Sequence, residues 1–223
     1  MLPTWVAAQP ERICDVSKLT VCFTTRAMLT DKLKNTIIVL IGFAGTGKYT
    51  IGRELCERTG AKLIDNHLIN NPVFKVLDAD GIKPLPSGVW DKVKTIRAIV
   101  YDSIRELSPP DLSFVFTIEL IEGKPDEQEA FDDLKELAVA RNSVFVPVRL
   151  LCDVDELCRR VASPGRIAMI KAISPEAARQ KSADYEVLKA EHPNGRTIDV
   201  TRKSPSDSAD AILAEIANLV RVD

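Results

Sequence analysis

The chain has 223 residues, 45% of them hydrophobic, which suits one sizeable α/β domain. Lysine and arginine (30) nearly balance aspartate and glutamate (32), so no basic excess marks a nucleic-acid partner. No apolar run approaches the roughly 18 residues of a membrane span, and five scattered cysteines without a CxxC pair fit reduced thiols. Together these features predict a soluble, cytoplasmic protein that binds small ligands at local sites.

Residues 1–34 lack clear periodicity and precede the first strong strand signal. They read as an extension: a disordered segment, a packed arm, or sequence upstream of a start at Met28. The opening MLPTWVAAQPER has no basic start followed by an apolar core, unlike a secretory signal. The domain itself is expected over residues 35–223.

Its first element is the continuous apolar run Thr36–Ile41, the pattern of a strand buried on both faces. A loop over 42–47 and a helix over 48–59 follow. A short strand is predicted at 61–65, a helix at 66–78 in spite of Pro72, and a Gly/Pro-rich turn at 79–87. Val93, Ile96, Val100, Ile104 and Leu107 give 89–107 the apolar stripe of a long helix. Strands at 112–120, 143–152 and 196–201 alternate with helices at 126–141, 153–161 and 207–220. Residues 162–193 are polar and partly helical, with Ser174-Pro175-Glu176 forming a helix start. Five strands separated by helices predict a parallel sheet with helices on both faces and the Thr36–Ile41 strand at its centre.

The segment from Gly42 to Thr50 reads GFAGTGKYT. It places GxxxxGK directly after a buried strand and directly before a helix, the context a phosphate-binding loop requires. Glycines let the backbone curl so that amides and the helix N-terminus cradle an anion, and Lys48 adds a point charge. Gly42, Gly45, Thr46, Gly47, Lys48, Tyr49 and Thr50 are therefore the expected nucleotide contacts. Tyr49 departs from the motif, which has Ser or Thr at that position to hold magnesium.

From Thr36 onward the chain resembles the small P-loop kinases, the group of shikimate, gluconate, adenylate and cytidylate kinases and chloramphenicol phosphotransferase. The loop carries the resemblance, with Asp65 ending the second strand and Leu157-Cys158-Arg159-Arg160 leading to Arg166. It implies the three-layer P-loop NTPase fold and transfer of the ATP γ-phosphate, with Mg2+, to a small-molecule acceptor. As in nucleoside monophosphate kinases, Thr50 would then meet the α-phosphate and magnesium would be held largely through water and phosphates. It also implies catalytic roles for Lys48, Asp65, Arg160 and Arg166, the arginines closing from a lid over about 162–173. Glu119, ending the third strand, is the expected metal contact, through water.

Each assignment has a plainer counterpart. Asp65 orients an acceptor hydroxyl or caps a helix. His67 contacts substrate or packs. Arg97 reads as an exposed helix charge. Arg202 and Lys203 fall where such kinases pass the adenine. Shikimate itself is disfavoured: Asn66 and His67 stand where a second Asp is expected, and Thr117-Ile118-Glu119-Leu120 replaces a glycine-rich loop. A nucleotide-binding ATPase or regulatory module without an acceptor is the alternative.

Overall fold

The computed structural model describes residues 33–77, 79, 85–163 and 174–220. The expectations for residues 1–32, for Arg166 and for 164–173 of the lid segment lie outside the described residues.

Among the described residues twelve elements follow in chain order: β1 (Thr36–Ile41), α1 (Lys48–Thr59), β2 (Lys62–Asp65), α2 (Asn66–Val76), α3 (Val89–Leu107), β3 (Phe114–Ile118), α4 (Pro125–Ala140), β4 (Val144–Leu151), α5 (Val154–Val161), α6 (Pro175–Asp184), β5 (Arg196–Asp199) and α7 (Pro205–Val220). All strand pairs are parallel, in the order β2-β3-β1-β4-β5. The strand feeding the glycine loop is therefore central, as its two-sided apolar sequence requires.

Side-chain alternation along β1 divides the core between the two faces of the sheet. Ile37, Val39 and Ile41 pack with Val93 and Ile104 of α3 and with Phe131 and Leu134 of α4. Ile38 and Leu40 pack with Ile51 and Leu55 of α1 and with Ala209 and Ile212 of α7. The result is three layers, helix–sheet–helix. Each fully buried Ile or Leu contributes about 1.5–3 kcal/mol, so β1 is among the most firmly held strands.

The strand ends are shorter than the sequence pattern predicts, for visible reasons. β3 begins at Phe114 because Ser113 turns its hydroxyl to accept the Thr36 N–H at 3.0 Å. It ends at Ile118 because the next residues pair elsewhere: Leu188 N–H donates to Leu120 O at 3.0 Å, and Ile121 bridges Val187 antiparallel. That short pairing brings the end of β3 beside the chain leaving α6. Helix starts follow the sequence cues. Ser174 Oγ accepts from Ala177 N–H at 3.1 Å ahead of Pro175, and Asp153 Oδ1 accepts from Asp155 N–H at 2.9 Å.

Candidate active site

The loop between β1 and α1 carries the site. Gly45 has φ 93° and Gly47 φ 89°, the left-handed region that costs glycine little. At Gly45 a Cβ would also lie 2.9 Å from Val161 Cγ2 and 3.0 Å from Leu157 O, so the loop sits directly on α5. The first bond of the helix ladder runs from Ile51 N–H to Gly47 O at 2.9 Å. The turn ahead of it contributes its amides to the N-terminal end, where the helix field favours an anion. Lys48 Nζ reaches back to donate to Gly42 O at 2.5 Å and Phe43 O at 2.9 Å. Thr46 and Thr50 hydroxyls donate to Phe43 O and Gly47 O, each at 2.9 Å, closing the loop on itself.

Glu119 follows β3 and meets this loop. Burial raises its carboxyl pKa, but the charges of Lys48 and Lys181, a hydrogen bond from Lys181 and one from the Ala44 N–H outweigh that and hold it below the usual range. Lys181 Nζ lies 2.5 Å from Glu119 Oε1. A carboxylate thus lies beside the loop within the field of Lys48.

Asp65 stands at the N-cap position of α2 but makes no side-chain cap hydrogen bond. Its Oδ1 instead accepts from Thr117 Oγ1 at 2.6 Å, and Thr117 Oγ1 accepts from Asn66 N–H at 3.1 Å. β2 and β3 thus hold the carboxylate in place from two strand ends. His67 Nδ1 is 3.7 Å from Asp65 Oδ2.

Arg160 is placed differently from the lid role its sequence position implies. It donates to Glu156 Oε1 at 2.6 Å, Thr46 O at 3.4 Å, Val200 O at 3.0 Å and Thr201 O at 3.1 Å. These contacts brace the loop against the turn after β5. Arg159 is exposed and pairs with Glu156 Oε2 at 2.7 Å. Arg97 also departs from the expected exposed charge: it lines the main cleft, and its Nε is buried with no hydrogen-bond partner among the described residues.

The cleft has a volume of about 1470 Å3 and brings together Lys48, Tyr49, Thr50, Asp65, His67, Arg97 and Glu119. Parallel strands deliver these groups because their carboxyl ends open on one crevice. A second hollow of about 580 Å3 lies beyond Thr46 and Gly47, walled by Arg160, Arg202 and Lys203. Sequence reasoning missed Asn70, Trp90 and Lys181, all cleft residues. Asn70 shares a 3–4 spacing on α2 with His67 and Phe74, a signal available in the sequence. Lys181 has none, since it arrives through the Ile121–Val187 pairing. Among the described residues no His, Cys, Asp or Glu cluster forms a closed metal site, and no helix is long and apolar enough to cross a membrane.

No protein-family model and no curated relative matches the chain. Solved structures do. A gluconokinase from Sinorhizobium meliloti 1021 superposes with a TM-score of 0.59 at 19% identity, covering 84% of this chain and 94% of that one. A sugar kinase from Janibacter sp. HTCC2649 gives 0.52 at 18% identity, covering 82% and 95%. A shikimate kinase from Acinetobacter baumannii in complex with shikimate gives 0.51 at 18% identity, covering 82% and 93%. The chain has the fold of the small P-loop kinases, as the resemblance of its loop implied.

Proposed function

We propose that this protein is an ATP-dependent phosphotransferase acting on a hydroxyl of a small metabolite. One observation carries the reading: a single cleft holds the glycine loop with Lys48 at one side and Asp65, fixed by Thr117, at the other. The first is an anion cradle and the second a carboxylate positioned to meet a hydroxyl. The kinase fold of the structural neighbours supports it.

In this reading the triphosphate lies along Gly42–Thr50, with Lys48 on the β- and γ-phosphates. Tyr49 and Thr50 border that path, and the base occupies the hollow by Arg202 and Lys203. The acceptor oxygen bonds to the γ-phosphorus, the bond from that phosphorus to the β,γ-bridging oxygen breaks, and ADP leaves. Asp65 orients the hydroxyl and takes its proton. Arg160 keeps the loop in shape. Arg166 would add a cation from the lid segment. Magnesium supplies charge neutralisation when it binds with ATP. Phosphates and water would hold it, with Asp65 and Glu119 as the nearby carboxylates. Two carboxylates on an open cleft fit that mode, since magnesium rarely uses an all-protein cage. Glu119 keeps acceptor capacity beyond its bond to Lys181, a carboxylate having about four lone-pair sites.

The test is ADP release from ATP with a library of hydroxyl-bearing metabolites. Acceptor-dependent release supports the proposal. Hydrolysis at one constant rate, whatever acceptor is present, replaces it with an ATPase or regulatory module.

A further inference from the structure

The far half of the cleft, walled by α2, α3 and α4, has an uneven charge. Asp91 on α3 and Asp126, Glu127, Glu129 and Asp133 on α4 line it, facing three cations, Lys94, Arg97 and Lys124. Lys94 and Lys124 are already engaged, and Arg97 lies near two of the acids. Lys94 Nζ is 2.6 Å from Glu129 Oε1. Lys124 Nζ lies 4.4 Å over the Tyr185 ring. Arg97 is within electrostatic reach of both Glu127 and Asp133. Lys181, at the border with the phosphate half, is held by Glu119. Among the described residues carboxylate charge is left in surplus. Burial, and after it the charge of Glu119, pushes the Glu127 carboxyl up, and burial, then Glu129, does the same to Asp133.

Two independent observations point to what enters. Asn70 is only 3% exposed, lines this cleft, and its Oδ1 has no hydrogen-bond partner among the described residues. A buried carbonyl oxygen without a donor is costly, and a ligand N–H or O–H removes that cost. Trp90 lines the same wall, 59% exposed, set edge-to-face with Phe74 at 5.9 Å. An open indole face attracts cations.

Resting on the phosphotransferase reading above, we propose that the acceptor is an amino alcohol or amino sugar: a small cation carrying a protonated amine beside the hydroxyl that receives phosphate. The α4 carboxylates hold the ammonium group, Asn70 accepts a hydrogen bond from the acceptor, and Trp90 covers one of its faces. The transfer is unchanged: the acceptor oxygen gains the γ-phosphoryl group, Asp65 takes the hydroxyl proton, and the amine is not consumed. An acidic acceptor, by contrast, would meet the surplus carboxylates.

The experiment measures ADP release by the full chain with acceptors matched in skeleton and graded in charge. Glucosamine, glucose and gluconate form one set; serinol, glycerol and glycerate form another; a wider library of hydroxyl compounds is sorted into the same three classes. The amine class is expected to exceed its neutral counterparts by about tenfold or more in kcat/KM, with carboxylates lowest. The double variant Glu127→Gln/Asp133→Asn is expected to shrink that amine-to-neutral ratio toward one. Preference for carboxylates, equal use of amine and neutral compounds, or a ratio untouched by the double variant overturns the proposal while leaving a kinase. Release with none of the three classes overturns the phosphotransferase reading, and this inference with it.

Discussion

Arg160 and Arg97 are both half-buried arginines lining one cleft, and the structure treats them in opposite ways. Arg160, at the glycine-loop end, gives its donors to Glu156 and to the carbonyls of Thr46, Val200 and Thr201. Arg97, at the far end, keeps a buried Nε with no partner among the described residues, as Asn70 keeps its Oδ1. The glycine-loop end is built in advance: its loop is closed by its own threonines and Lys48, so little ordering would remain for a ligand there. The far end leaves polar groups unsatisfied, which costs stability and is tolerated where a ligand supplies the missing partner.

Asp65 stands where the two ends meet, so its replacement separates them most strongly. Asp65→Asn is expected to lower turnover by roughly 100-fold, the scale of a positioned acid or base, with ATP affinity kept. Steady-state kinetics on an acceptor found by screening checks this. Normal turnover would move the acceptor chemistry away from β2.

The two arginines themselves give the next largest contrast, in opposite directions. Arg160→Met removes charge-assisted bonds worth about 1.5–3 kcal/mol and should lower the melting temperature by several degrees and weaken ATP binding. Arg97→Met removes a buried unpartnered donor. It should melt at or above the parent temperature, bind ATP normally and lower the KM for an amine acceptor, since a like charge leaves the cleft. Equal destabilisation by the two variants, read in thermal melts, would erase the distinction.

The smallest effect probes the brace by pH. Hydrogen bonding from Arg159, and then from Arg160, holds the Glu156 carboxyl at about 2 against an ordinary 4.5. A depressed carboxyl pKa stabilises the fold fully above its unfolded value, and the benefit is lost as pH falls through the folded one. The stability difference between the parent and Glu156→Gln should therefore be constant above about pH 4.5 and vanish toward pH 2. A difference that persists at the acid end would show that the carboxylate does not carry the brace.

How much of this the sequence discloses depends on distance along the chain. β1 and its loop are legible because their cues are contiguous: five apolar residues after a threonine, three glycines, one lysine. The order of strands and helices follows for the same reason. Asp65 is visible as a strand-end acid, but its partner Thr117 is 52 residues away. The choice between helix cap and positioned carboxylate therefore needs the β2–β3 register. Lys181 and Glu119 are 62 residues apart and meet only through the pairing of Ile121 with Val187. Arg160 shows the limit from the other side: an arginine in a lid-like position turns inward because three carbonyls, one from the glycine loop and two from the turn after β5, lie within its reach.

The central claim is that Gly42–Thr50 is the nucleotide site, and calorimetric titration with a non-hydrolysable ATP analogue and magnesium tests it most directly. The parent chain should bind, and Lys48→Ala should stay folded and bind at least about tenfold more weakly, the loss of one charge on the phosphates. Equal affinity in a folded Lys48→Ala variant would contradict the account, since the nucleotide would then lie elsewhere.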